Sequence, residues 1–321
     1  MNMSIKTKTI NLDLPPGKRW NDLLQEYKYE LLIAKKEMIS MIEQLLGHSY
    51  YLVMPLIKTF RLSGSIKYIE ELESISKIMD MSFEYVLLLQ LCYEACSCCT
   101  SVITKVNNRY TFFRTMDWPL KFLNNLTVQL EFVKEGKLIY SATSWAGYIG
   151  ILTAVVPEKY GLAVNYRRTQ NITSTAMLQN TWKMMNMYWP IGYLIRDICE
   201  NDYSYDQMIT MLKKAKLVSP CYITICGCDQ LPKIITRDST EYTIYQNKFV
   251  VQTNCDQDKT EPDILYSVER RRKITKIINE NNNDFNSVDE MIKKFYIKPI
   301  KNDETIYCAV MIPSTGLLIS F

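Results

Sequence analysis

The hydrophobic repeat of this chain changes period once, close to residue 98, and that change constrains the fold more than any other feature. From Trp20 to about Glu94 the apolar residues recur at helical spacing. Leu31, Ala34, Met38, Ile42 and Leu45 mark one stripe, and Leu72, Ile75 and Met79 mark another. Tyr85 to Leu91 is apolar nearly all round, which predicts a buried helix. Beyond Cys99 the period becomes two. Thr127 to Val133 alternates, and Lys137 to Tyr140 follows a Glu135-Gly136 turn, as in a hairpin. Further strands are predicted at Ile149 to Val155, Gly161 to Asn165, Cys221 to Cys226, Lys233 to Thr236, Tyr242 to Tyr245, Phe249 to Thr253 and Ile306 to Ile312. Helices are predicted at Ala176 to Tyr188, Gly192 to Cys199, Tyr205 to Leu212 and Asp263 to Ile278, and the Asn-rich run from Asn279 to Asn286 reads as a loop. Strands, then helices, then strands again predict an α+β fold of antiparallel sheets layered with helices. The natural division is a helical segment, 1–98, and a mixed segment, 99–321.

The single histidine excludes whole classes of enzyme. A Ser-His-Asp triad, a papain-like Cys-His pair and a His-Glu-x-x-His metal site all need a placed imidazole, and His48 sits in Leu46-Gly47-His48-Ser49, a helix-end context. Neither Gly-rich phosphate motif occurs, and only ten glycines are spread over 321 residues. The cysteines Cys92, Cys96, Cys98 and Cys99, with Cys221, Cys226 and Cys228, lack the spacing of a zinc site, so no metal and no cofactor are expected. A net charge of +4, with only the short basic run Arg270-Arg271-Arg272-Lys273, argues against nucleic acid. Met1 to Lys8 is polar and no apolar stretch is long enough to span a bilayer, so the expected location is the cytoplasm, or the lysosome if an upstream signal has been removed. On that reading the ten cysteines are reduced and the sequons at Asn125 and Asn171 are unused.

The junction itself is specific. Tyr93-Glu94-Ala95-Cys96-Ser97-Cys98-Cys99-Thr100-Ser101-Val102 resembles the processing site of the acid ceramidase and N-acylethanolamine acid amidase family, where a Cys-Thr-Ser segment opens the catalytic chain. Other stretches are similar in the same order. They include Thr9 to Pro16 with Arg19-Trp20, Arg114-Thr115-Met116-Asp117-Trp118, Leu126-Thr127-Val128 and Ser144 to Thr153. Asn165-Tyr166-Arg167, Thr253-Asn254-Cys255-Asp256, Glu269-Arg270-Arg271 and Thr305-Ile306-Tyr307 follow.

The resemblance implies an αββα sandwich of two antiparallel sheets between helical layers, the N-terminal-nucleophile hydrolase fold, with residues 1–98 as helical propeptide or α-chain. It implies a self-cut between Cys98 and Cys99, leaving an α-chain/β-chain heterodimer. It also implies hydrolysis of N-acyl lipids, of ceramide or N-acylethanolamine type, through a thioester on Cys99. The chemistry suits the residues. A thiol is the nucleophile most easily activated without histidine, and a freed α-amine with a reference pKa of about 7.7–8.0 can serve as its base. Arg114 would then favour the thiolate, and Asp117 would hold the α-amine. Asn254 and Asn165 would donate to the oxyanion, an effect worth roughly 3–4 kcal/mol per donor. Arg270 would order the charges, and Tyr166 is a weaker substrate contact. Taken singly, Arg114 with Asp117 reads equally as a surface ion pair, and Asn165 and Asn254 as turn residues.

Several positions depart from the family pattern. Thr115 stands for Asn, Phe113 for Gly and Tyr166 for Glu, while Cys255 and Asp258 stand where aromatic residues are common. These changes fall on the headgroup side of the implied pocket. Two other functions stay open: a cysteine amidase for a non-lipid acyl amide, of choloylglycine hydrolase type, and a non-enzymatic acyl-lipid-binding relative. A lipid substrate also implies transient contact with a membrane surface, for which Met177 to Met187 with Trp182 and Trp189 is the candidate, unless that helix simply packs on the sheet.

Overall fold

Backbone hydrogen bonding follows the two periods. The computed structural model describes residues 5–64, 66–92, 98–167, 174–263 and 265–321, with backbone alone for 174–177. A first strand, β1 (Thr7–Asn11), precedes five helices: α1 (Asn21–Glu26), α2 (Lys28–Leu46), α3 (Tyr50–Leu62), α4 (Ile69–Met79) and α5 (Phe83–Leu91). In α2 the buried stripe is Leu31, Ala34, Met38, Ile42 and Leu46, with Leu45 half-buried beside it. His48 is exposed in the turn between α2 and α3.

The second segment opens with the hairpin β2 (Cys98–Val106) and β3 (Arg109–Asp117). A single helical turn, α6 (Leu123–Leu126), leads into β4 (Thr127–Lys134), β5 (Lys137–Trp145), β6 (Thr153–Val156) and β7 (Tyr160–Tyr166). Three helices follow, α7 (Ser174–Met185), α8 (Ile191–Glu200) and α9 (Tyr205–Lys214), then β8 (Cys221–Gly227), β9 (Lys233–Arg237), β10 (Tyr242–Gln246) and β11 (Val250–Gln252). The chain ends with α10 (Ser267–Glu280), β12 (Asp284–Phe285), α11 (Val288–Phe295), β13 (Thr305–Ile312) and β14 (Leu317–Ser320).

These strands make two sheets. The larger runs β1-β4-β5-β6-β7-β8-β9-β10 and the smaller β11-β2-β3-β13-β14, with β12 also on β2. One apolar core joins the N-terminal helices to both sheets, uniting Trp20, Leu72 and Leu87 with Leu130, Ile223 and Cys99. A second core, built from Val102, Phe113 and Val310 against Ile274, Met291 and Phe295, seals α10 and α11 onto the far face of the smaller sheet. The result is helices, sheet, sheet, helices. Strands β7 and β8 lie in the middle of the larger sheet and are almost wholly buried, which is why they read as near-continuous apolar runs rather than alternating ones.

Strands β1, β2, β3 and β14 and helix α11 lie outside the predicted elements, and the observed fold departs from the sequence reading in four further respects. Both sheets are antiparallel except at their edges, where β1 runs parallel to β4 and β12 parallel to β2. The strand expected from Ile149 starts only at Thr153, because the backbone N–H groups of Ile149 and Ile151 are taken by Gln90 of α5 and the Gly192 carbonyl near the start of α8. The helix expected from Asp263 begins at Ser267, with the Asp263 carboxylate accepting from the N–H groups of Leu265, Ser267 and Val268. Within the Asn-rich stretch, Asp284 and Phe285 pair with β2.

Candidate active site

Strand register decides which side chains meet Cys99. In the β2/β3 ladder Cys98 lies opposite Asp117, Cys99 opposite Met116, Thr100 opposite Thr115 and Ser101 opposite Arg114. Because successive side chains alternate, Cys99, Ser101, Arg114 and Met116 share the face between the sheets, while Cys98, Thr100, Thr115 and Asp117 share the face under α10. Cys99 is fully buried. The Nη2 of Arg114 stands 3.4 Å from its sulfur, and the Met116 sulfur lies 3.5 Å away. The guanidinium is fixed by the carbonyls of Leu152 and Val164, at 3.2 and 2.7 Å, which orient its charge toward the thiol.

The backbone of Cys99 is gripped as closely as its side chain. Its nitrogen donates to Asn254 Oδ1 at 2.8 Å, and its carbonyl accepts from Arg270 at 2.8 Å. Arg270 also donates to Thr100 Oγ1 at 2.8 Å and to Asn254 Oδ1 at 3.1 Å, and it lies 3.7 Å from Asp117. Asp117 accepts from Thr305 at 2.6 Å and Thr115 at 3.2 Å. Burial pushes its carboxyl up to about 6, against the opposing pull of Arg270. Burial likewise pushes the Cys98 thiol up to about 12, so this neighbour stays a neutral thiol near neutrality.

The structure therefore brings Cys98, Cys99, Arg114, Asp117, Asn165, Asn254 and Arg270 into one buried cluster. Arg114 and Asp117 are both fully buried, which rules out the surface ion pair. Asn165 is also fully buried and works as a joint between sheets. It accepts from Ser101 Oγ at 2.6 Å and donates to the carbonyls of Gln252 and Thr253, at 3.1 and 3.3 Å. Asn254 donates to the Tyr166 carbonyl at 2.9 Å, so Tyr166 meets the site through its backbone, with its side chain half-buried. The Cys99 nitrogen is met by Asn254 rather than by Asp117 as expected, because Asp117 lies on the opposite face of the strand pair and meets Arg270, which bonds the Cys99 carbonyl. The residues Tyr93 to Ser97 of the junction motif lie outside the described residues. Among the described residues no three potential metal-binding side chains come together.

Sequence reasoning missed the wall beside this cluster. Trp145 lies 5.8 Å from Trp118, 5.8 Å from Tyr148 and 6.0 Å from Tyr307, centroid to centroid. Tyr307 shares a 2.8 Å hydrogen bond with Thr153, and its phenol is raised above its ordinary value by burial, with the Arg114 charge opposing. Trp118, Trp145 and Tyr148 line a narrow apolar cleft whose other walls include Met38, Met79 and Leu123. The indole N–H of Trp145 is buried and has no hydrogen-bond partner among the described residues. The signal was present: Trp118 follows Asp117 directly, and Trp145 lies in the stretch from Ser144 to Thr153 that resembles the family.

Comparison with known proteins agrees with this geometry. Residues 99–264 match the model of the linear amide C–N hydrolases of the choloylglycine hydrolase family. The chain belongs to that family. Residues 4–59 of this choloylglycine hydrolase family member match the beta subunit of N-acylethanolamine-hydrolyzing acid amidase. It is 31% identical over 302 residues to uncharacterized protein R632 of Acanthamoeba polyphaga mimivirus, covering 93% of each chain. It is 28% identical over 334 residues to human acid ceramidase, covering 96% of this chain and 83% of the relative. The solved Caenorhabditis elegans N-acylethanolamine-hydrolyzing acid amidase ortholog superposes with a TM-score of 0.60 at 25% identity, over 67% of this chain and 93% of the other. The αββα sandwich is thus that of the N-terminal-nucleophile hydrolases, and the chain is a hydrolase of linear amides within the acid ceramidase and N-acylethanolamine acid amidase group.

Proposed function

We propose that the chain cuts itself between Cys98 and Cys99, and that Cys99 then hydrolyses the amide of an N-acyl lipid of ceramide or N-acylethanolamine type. The observation that carries this reading is the buried Cys99 sulfur 3.4 Å from the Arg114 guanidinium, with the Cys99 nitrogen held 2.8 Å from Asn254. The family match that starts at residue 99 supports the same bond as the cut.

In the self-cut, the Cys99 sulfur attacks the Cys98 carbonyl, the Cys98–Cys99 amide nitrogen leaves as an amine, and water releases the resulting thioester. The free α-amine then takes the thiol proton, and the sulfur attacks the substrate carbonyl. The amine product departs with that proton, leaving a thioester. Water, deprotonated by the α-amine, attacks the thioester and frees the fatty acid. Arg114 stabilises negative charge as it develops on sulfur, and the Arg270–Asp117 pair keeps Cys99 in place. Asn254 accepts from the Cys99 nitrogen on its Oδ1, and its amide N–H is the donor for the oxyanion, whereas Asn165, expected as a second donor, has its amide committed to the Gln252 and Thr253 carbonyls and instead holds the loop that carries Asn254.

The apolar cleft supports an acyl-chain substrate, and the Trp145 N–H on its wall suits a polar group where the chain meets the head. The two products of the cut would stay together. Glu71 of α4 and Arg196 of α8 are both fully buried and bonded at 2.6 and 2.9 Å across the two segments. Each fully buried Leu, Ile or Val of the shared core adds roughly 1.5–3 kcal/mol. Helix α7 divides its faces: Met184 packs inward, while Trp182 and the neighbouring Met187 are exposed, as are Tyr51, Leu52 and Leu62 of the adjacent α3. That outer face is the surface we assign to transient contact with lipid. The side chain of Met177 lies outside the described residues. Among the described residues no helix is long and apolar enough to cross a membrane.

Intact mass tests the cut. The wild-type protein should resolve into fragments of 98 and 223 residues, and Cys99→Ala should stay whole and inactive. Turnover of labelled ceramide, acylethanolamine and a non-lipid acyl amide in parallel identifies the substrate class. An uncut wild-type chain that turns over none of the three would sink the proposal.

A further inference from the structure

The loop that carries Asn254 is stitched to the end of β7 by three successive links. Asn165 donates to the carbonyls of Gln252 and Thr253, and the Tyr166 carbonyl accepts from Asn254. Arg167 completes the series with a two-point bond to Asp256, Nε to Oδ1 at 2.9 Å and Nη2 to Oδ2 at 3.1 Å. A bidentate guanidinium–carboxylate pair fixes direction as well as distance. The pair is braced on both sides. Arg167 also holds Asp238 at 2.9 Å, and Tyr222 donates to Asp256 Oδ1 at 2.9 Å. The Arg167 guanidinium lies 5.8 Å from the centre of the Tyr222 ring, and Arg271 ties the Asp256 carbonyl at 2.8 Å. Asp256 is two residues from Asn254, the residue on the Cys99 nitrogen. Nothing in the chemistry proposed above uses Arg167 or Asp256, yet both side chains are committed to this joint.

We propose that Arg167 is a positioning residue, which clamps Asp256 so that the Asn254 amide stays aligned on Cys99. The inference rests on the reading of Cys99 as nucleophile and Asn254 as its amide partner. The contacts of Asn254, to the Cys99 nitrogen and Arg270 on one side and the Tyr166 carbonyl on the other, leave the amide little freedom while the loop is pinned. Releasing the Asp256 end lets the loop swing away from β7, and Asn254 is the catalytic group nearest that hinge. The loss then falls on the rate of the chemical steps rather than on substrate binding, because the apolar cleft is built from other elements.

The test uses the full chain, as wild type and as Arg167→Met, Arg167→Lys and Asp256→Asn, on the N-acyl amide the wild type turns over. Arg167→Met should lower kcat by about tenfold to about a hundredfold, the scale of a displaced catalytic group, with KM within about twofold. The self-cut should slow in parallel, followed by intact mass. Arg167→Lys, which keeps the charge but not the two-point geometry, should recover part of the loss. Asp256→Asn, nearly isosteric, should show the same kcat effect in a chain with unchanged circular dichroism, and so answers the question if Arg167→Met does not fold. Unchanged kcat in folded Arg167→Met or Asp256→Asn, or a loss confined to KM, overturns the inference while leaving Cys99 as nucleophile intact. A wild type that neither cuts itself nor turns over any N-acyl amide overturns the underlying reading, and this inference with it.

Discussion

Arg114 and Arg196 are both fully buried arginines, one between the sheets and one where the N-terminal helices meet α8, and their partners differ in kind. Arg196 is neutralised. It holds both carboxylate oxygens of Glu71 and one of Glu200, and it lies over the Tyr68 ring at 4.1 Å. Trp20 donates to the same Glu71. Arg114 instead donates to two backbone carbonyls and to the Cys99 sulfur. A buried charge matched by carboxylates spends its field on architecture. One held by carbonyl dipoles beside a thiol keeps its field for charge that develops during a reaction.

Four measurements would break or sharpen that contrast. Arg196→Met leaves the buried Glu71 without its main partner and should cost about 3–5 kcal/mol in urea unfolding, with kcat of the folded fraction unchanged within about twofold. A large fall in kcat without loss of stability would erase the distinction. Arg114→Gln should do the reverse, lowering kcat by about 10²–10³-fold, while stability drops by about 1–3 kcal/mol for the carbonyls left without their donor.

Asp117 offers a pH test between these extremes. Its carboxyl, ordinarily at 3.8, sits at about 6 in the fold because burial penalises the ionised form. From about pH 4 to about pH 6 the unfolded chain ionises first while the folded chain keeps its proton. This group should therefore lower stability by about 3 kcal/mol as pH rises through that window, levelling above about 6. Urea midpoints of Asp117→Asn, compared with wild type at both ends of the window, should lack that slope. The smallest effect is on the cleft. Ala146→Leu, which fills part of it, should reduce kcat/KM for a long-chain N-acyl amide about tenfold and leave a short-chain one nearly unaffected.

How far the site could be read from the sequence depended on the range of the interactions. The candidate nucleophile, the Arg114-to-Asp117 motif and Arg270 were legible because each lies in a local run that resembles the family, although Arg114 and Asp117 by themselves read equally as a surface ion pair. The roles of Asn165 and Asn254 were less so. An asparagine is equally at home in a turn, and only the packing of β7 against the loop after β11 shows Asn165 bridging Ser101 to Gln252 and Asn254 on the Cys99 nitrogen. The pairing of Arg167 with Asp256, 89 residues apart in the chain, had no local trace either. Nor did Trp145, whose place on the cleft wall depends on helices more than fifty residues before it.

The sequence by itself determined the change of period near residue 98, the layered α+β class and the candidate nucleophile. Periodicity is a local property, set by 3.6-residue and two-residue repeats, and the candidate nucleophile was marked among ten cysteines by a local run that resembles the family's processing site. Only the tertiary structure decided that β1 and β12 join the sheets in parallel and that the Ile149 backbone is claimed by α5. It also decided that the nitrogen of Cys99 rests on Asn254 and that Asp117 lies on the opposite face beside Arg270. Those outcomes turn on strand register and on which distant backbone groups satisfy one another. A shift of one residue in β2 would carry Cys99 to the other face of its sheet, away from Arg114.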